Sequence, residues 1–136
     1  YSGHPAACAV ACTAINILRN ERIVEHVRDV AAPRLAQRWA ELAGHPLVGE
    51  TRTLGLLGAI ELVRDKSRRQ FFRDPGKVGT LCRDFCFENG LVMRAVRDTM
   101  IVSPPLIITA EEIDELARRA RRCLDLTWDA VRKGDY

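Results

Sequence analysis

The sequence predicts an α/β fold in which helices cover a small mixed or antiparallel sheet, entered through a long connecting helix. Three observations carry that expectation. Helix-spaced and strand-like stretches alternate as helix, strands, helix, strands, helix; residues Leu47 to Val63 have strand chemistry punctuated by Gly49, Gly55 and Gly58; and the last helix has clear start signals. The 136 residues are 47% hydrophobic and 29% charged, with a net charge of +3. That balance excludes a disordered chain. No apolar run approaches the roughly 18 residues a membrane span requires, and no charged-then-apolar leader is visible. Nucleic-acid binding would call for a concentrated basic face with stacking aromatics, whereas two Trp, two Tyr and four Phe are scattered.

Taken in order, His4 and Pro5 open the first helix, because a proline at the first helical position sacrifices an N–H that has no partner anyway. Ala6, Ala7, Ala9, Ala11 and Ala14 give it a close-packing surface, and Ile15, Leu18, Ile23, Val24 and Val27 continue the pattern. Pro33 is expected to bend or divide this region, and Gly44-His45-Pro46 to end it. Strands follow at 48–53 and 56–63, with their glycines marking bulges or close backbone approach. The run Arg64-Asp65-Lys66-Ser67-Arg68-Arg69 reads as a solvated turn rather than an anion site. A helix is expected from Val78 to Asn89, with Asn89-Gly90 as its left-handed cap. Leu91 to Arg94 and Met100 to Ser103 are the next strands, joined at Arg97-Asp98 and closed by Pro104-Pro105. Thr109 to Glu112 form a capping box, with acidic residues at the start of the final helix and Arg118, Arg119, Arg121 and Arg122 nearer its end.

Chemistry is sparse. Phosphate-cradling, dinucleotide-binding, nucleophile-elbow and zincin motifs are missing. Cys8, Cys12, Cys82, Cys86 and Cys123 lie in helix-like stretches and read as small core residues in a reducing cytosol rather than zinc ligands, so no metal is expected. His4, His26 and His45 are read as capping or surface residues. Lys66, Lys77 and Lys133 occupy polar or terminal settings where nothing would desolvate an amine. No catalytic residue is expected in this segment. Arg94 stands apart: a guanidinium inside strand-like apolar sequence, which is either an edge-strand arginine with a buried stem or an anchor for a carboxylate.

Four motifs in order, Tyr1-Ser2-Gly3-His4-Pro5, Arg52-Thr53-Leu54-Gly55-Leu56-Leu57-Gly58-Ala59-Ile60-Glu61-Leu62, Glu88-Asn89-Gly90-Leu91-Val92-Met93-Arg94 and Ser103-Pro104-Pro105-Leu106, carry a resemblance across nearly the whole chain. The sequence resembles the C-terminal part of class III pyridoxal-phosphate-dependent aminotransferases, the omega-transaminases. The resemblance implies a fold-type I enzyme, with residues 1–44 closing the large domain and forming the connecting helix, and 45–136 forming the small C-terminal α/β domain. It implies a cytoplasmic homodimer with active sites at the subunit interface, taking small-molecule amines and keto acids and neither nucleic acid nor membrane. In that family the Schiff-base lysine lies some tens of residues before the motif that opens at Tyr1. The segment alone is therefore expected to be inactive and not to bind the cofactor.

The same resemblance places Tyr1 and Ser2 near the phosphate of the partner subunit's cofactor. It makes Arg94 a mobile carboxylate clamp of the omega-amino acid:pyruvate group. Ornithine and acetylornithine enzymes carry an arginine where this chain has Ile101, which cannot grip a carboxylate. Thr53 and Arg97 depart from the family pattern, each standing where glycine is usual. Donors such as 4-aminobutyrate, diaminobutyrate or putrescine fit these residues too. The competing reading from another class is a free-standing, non-catalytic ligand-binding or interaction domain.

Overall fold

The computed structural model describes residues 2–134. Helix α1 (Pro5–Asn20) is followed by α2 (Ile23–His26), a π-helical turn (Val27–Ala31), α3 (Ala32–Glu41) and a 3₁₀ turn (Leu42–Gly44). The strands are β1 (Val48–Leu54), β2 (Leu57–Leu62), β3 (Arg94–Val96) and β4 (Thr99–Val102), with α4 (Lys77–Glu88) between the two hairpins and α5 (Ala110–Lys133) last. They form one sheet in the order β1-β2-β4-β3, every neighbouring pair antiparallel. Of the two sheet types expected, the antiparallel one is realised.

One face of the sheet is covered. Ile60, Leu62, Met100 and Val102 point from β2 and β4 into a core completed by Leu35 and Trp39 of α3, Val78, Cys82 and Cys86 of α4, and Ile113, Ala120, Cys123 and Leu124 of α5. Gly58 makes room for α3: a Cβ there would lie 3.0 Å from both the Trp39 ring and Val102. Trp39 uses that approach to donate its indole N–H to the Ala59 carbonyl at 3.1 Å, so its polar atom is satisfied inside the core. The β1–β2 turn has positive φ at Gly55 alone (58°), as a two-residue turn of type II′ demands. The bulge expected near Gly49 is present as the register shift between Val48 and Glu50.

Several expectations are corrected. Helix α1 ends before Arg22, which takes a left-handed conformation (φ 52°), so the first break lies well before Pro33. Pro33 instead occupies the first turn of α3, just after the π turn; the wider turn accommodates the proline ring without ending the helical path. Leu91 to Met93 are not strand. The β3–β4 register, with Arg94 opposite Ile101, would set Leu91 against Pro104, and proline has no N–H to give the ladder. Leu91 and Met93 are buried in the core all the same.

Cys8 and Cys12 are exposed, whereas Cys82, Cys86 and Cys123 are buried between α4 and α5. The core reading holds for the second group and fails for the first, because α1 buries no residue and its main neighbour is the short α2. Hydrogen bonding with Cys123 and Cys82, reinforced by burial, pushes the Cys86 thiol pKa up and keeps it protonated. His45 is not a surface residue: it is 1% exposed, with Nδ1 accepting the Leu47 N–H at 3.1 Å and Nε2 3.2 Å from Asp125. His4 caps α1 as expected, its ring accepting from the Ala7 N–H. The Thr109–Glu112 capping box at the start of α5 is complete.

Candidate functional site

The face of the sheet that no helix covers holds the candidate site. Pairing runs across all four strands in one row: Arg52 opposite Ala59, Ala59 opposite Ile101, and Ile101 opposite Arg94. Side chains alternate along a strand. With Ile60, Met100 and Ala95 turned to the core, Ala59, Ile101 and Arg94 therefore face the other way. Two arginines thus flank a short apolar floor, roughly 14 Å apart by strand spacing. Leu57, Leu54 and Val96, all exposed, extend that floor along the hairpins.

The two arginines are not equivalent. Arg52 donates to Glu50 at 2.9 Å and to Glu61 at 3.1 Å, and the Glu61 carboxylate foremost, with Glu50, holds its guanidinium above the usual range. Its charge is already matched. Arg94 is exposed on the edge strand β3, and its guanidinium makes no ion pair or hydrogen bond among the described residues. A planar guanidinium with free donors above an apolar floor can take a carboxylate through two parallel hydrogen bonds while a short alkyl group rests on Ala59 and Ile101.

What holds β3 in place lies in its turn. Asp98 accepts the Gly76 N–H through Oδ2 at 2.9 Å and the Gly79 N–H through Oδ1 at 2.8 Å, both at the start of α4. Its backbone carbonyl accepts the Leu62 N–H at 2.9 Å. Gly79 has no space for a side chain: a Cβ there would sit 2.0 Å from the Arg97 carbonyl oxygen. Arg97 itself is left-handed (φ 52°), which explains why glycine suits that position. Arg97-Asp98 is the expected turn.

The remaining expected site residues are dispersed. Ser2 is exposed ahead of α1, on a different element from Arg94, and no hydrogen bond joins them among the described residues; Tyr1 lies outside the described residues. Lys66 donates to the Ala43 carbonyl, Lys77 has a partner of its own, and Lys133 is exposed at the end of α5. None of the lysines is buried in an apolar cavity, so the described residues do not by themselves fit a pyridoxal phosphate site. No group of three or more potential metal ligands occurs among the described residues. No helix among them is long and apolar enough to cross a membrane.

Comparison with known proteins matches this arrangement of chain. The family described as Aminotransferase class-III matches residues 1–124. The chain is 59% identical over 131 residues to a putrescine–pyruvate aminotransferase of Pseudomonas aeruginosa, covering 96% of this chain and 28% of that protein. It is 40% identical over 118 residues to the mitochondrial gamma-aminobutyrate transaminase 1 of Solanum lycopersicum, covering 87% of this chain and 23% of that protein. Among solved structures, an omega-transferase from Vibrio fluvialis superposes with a TM-score of 0.92 at 33% identity, covering 98% of this chain and 32% of the other. A thermostable omega transaminase from Pseudomonas jessenii gives 0.87 at 35% identity, with 92% and 28% covered. The chain thus spans less than a third of the length of these relatives. With a family match over nearly all of its residues, the chain belongs to the class III aminotransferases.

Proposed function

We propose that this chain is the substrate-facing C-terminal portion of a pyridoxal-phosphate-dependent aminotransferase that passes an amino group from an amine or omega-amino acid to pyruvate or another keto acid. The observation that carries the reading is Arg94, a guanidinium without a partner among the described residues, on the open face of the sheet at the end of an apolar row. In this reading Arg94 binds the acceptor carboxylate, and the Ala59 and Ile101 side chains seat the short alkyl group beside the reacting carbonyl. An uncharged amine leaves the arginine in water, which its exposure allows. Putrescine as donor is supported by the similarity to the Pseudomonas aeruginosa protein, and 4-aminobutyrate by the plant relatives. Ile101 in the row argues against a second carboxylate anchor on β4.

Residues 1–44 are proposed to close the large domain and connect it to the small domain at 45–136; the lack of any buried residue in α1 supports a neighbour outside the described chain. Tyr1 and Ser2 are proposed to approach the phosphate of the cofactor bound by the partner subunit, in a cytoplasmic homodimer. Pyridoxal phosphate is the cofactor the family implies, and no step of its chemistry is assigned to these residues. The test uses the full-length protein reconstituted with pyridoxal phosphate. Putrescine or β-alanine is expected to remove the visible absorbance of the bound cofactor, and pyruvate to restore it. A spectrum unchanged by every amine, at saturating cofactor, sinks the reading and favours the non-catalytic domain.

A further inference from the structure

We propose that Asp98 is a positioning residue for Arg94: its carboxylate ties the β3–β4 turn to the first turn of α4 and so sets where the edge strand presents the guanidinium. The inference rests on the reading of Arg94 as the carboxylate anchor. Strand β3 is three residues long and has a single neighbour, β4. The backbone before it, Leu91 to Met93, is outside the sheet. An edge strand held on one side is free to slide or fray unless something else pins it. The buried Leu91 and Met93 hold the chain before it, and the pin at its other end is its turn. Asp98 joins two elements at once, through the Gly76 and Gly79 amides of α4 and through the Leu62 amide at the end of β2.

The fit is close as well as polar. Gly79 and the Arg97 carbonyl leave no space for a methyl group between helix and turn. Displacement of a binding group by about 1 Å can cost up to a hundredfold in rate. The cap therefore does more than stabilise α4. Loss of a helix cap alone would lower stability and treat all acceptors alike, whereas a shift of β3 penalises the acceptors that need Arg94.

The experiment compares Asp98→Ala, Asp98→Asn, Arg94→Leu and the Asp98→Ala/Arg94→Leu double variant in the full-length holoenzyme. The readout is the ratio of kcat/KM for pyruvate to kcat/KM for a neutral aldehyde acceptor, with thermal melting recorded alongside. Asp98→Ala is expected to lower that ratio about tenfold through the pyruvate KM, and Asp98→Asn, which keeps one acceptor oxygen, to lower it less. Should Asp98→Ala fail to fold, Asp98→Asn carries the comparison. The double variant is expected to match Arg94→Leu, since the two residues act through one contact. A ratio that falls in Arg94→Leu but stays at the wild-type value in both Asp98 variants overturns the positioning role and leaves the Arg94 reading standing. A ratio unmoved by Arg94→Leu overturns the Arg94 reading, and this inference with it.

Discussion

The two faces of the four-stranded sheet are built from the same strands and do opposite work. On the covered face Ile60, Leu62, Met100 and Val102 are buried beneath three helices. One residue along each strand, Leu57 is 52% exposed, Ala59 and Ile101 are half-buried, and Arg94 is exposed. Period-two alternation alone decides which side chains meet helices and which meet solvent. Stability is therefore concentrated on one face, leaving the other free to carry a charged group with no partner. An unpaired guanidinium on the covered face would cost several kcal/mol. On the open face it stays in water until a carboxylate arrives.

The largest expected effect tests the covered face. Trp39→Ala removes the ring packed under Gly58 and leaves the Ala59 carbonyl without its indole donor. A loss of about 3–5 kcal/mol is expected for a buried aromatic truncated to alanine. Amide hydrogen exchange in the full-length protein should show β2 and β4 protection reduced by at least about a hundredfold. An equal loss of protection from Leu57→Ala would show that the open face is core as well, and would erase the contrast between the faces.

Next in size is Arg94→Ala, which tests the open face through binding instead of stability. A hydrogen bond to a charged group contributes about 1.5–3 kcal/mol, so pyruvate use should fall roughly ten- to a hundredfold relative to a neutral aldehyde. Because the Arg94 guanidinium makes no hydrogen bond or ion pair among the described residues, exchange protection in β3 and β4 should stay near the wild-type level. A large drop in protection with equal loss for both acceptors would assign Arg94 to the structure of the edge strand.

Much of this division was legible in the sequence. Both hairpins, α4, the Thr109 capping box and the antiparallel option were read from turn residues and periodicity, which act over a few residues. Arg94 stood out because a charge interrupted apolar strand chemistry. The contacts that pin it were not legible, since Asp98 reaches α4 amides 19 and 22 residues away, and spacing carries no sign of such a pairing. Cys8 and Cys12 looked like Cys82 and Cys86 in local sequence; only packing distinguishes an exposed helix from a buried one. Leu91 to Met93 had strand composition, and Pro104 across the register removed the ladder they would have joined.

The smallest effect probes a buried polar residue where the entry helices meet the sheet. His45 accepts the Leu47 amide on Nδ1, so its proton resides on Nε2 and points at Asp125. Burial, aided by Arg121 and Lys66 and opposed by Asp125, holds its pKa below the ordinary 6.5. The sign follows from linkage. The unfolded histidine takes up a proton as pH falls through about 6.5 while the folded one resists, so its contribution is full above that pH and shrinks below it. The decline stops at the lower folded-state pKa, and its slope is at most about 1.4 kcal/mol per pH unit. Protection of the Leu47 amide, corrected for the intrinsic pH dependence of exchange, is expected to fall by up to about tenfold per unit below pH 6.5. His45→Gln, which keeps an acceptor for that amide but does not titrate, should flatten this dependence. A slope that survives the substitution would place the sensitive group elsewhere in the protein and leave the buried junction indifferent to pH.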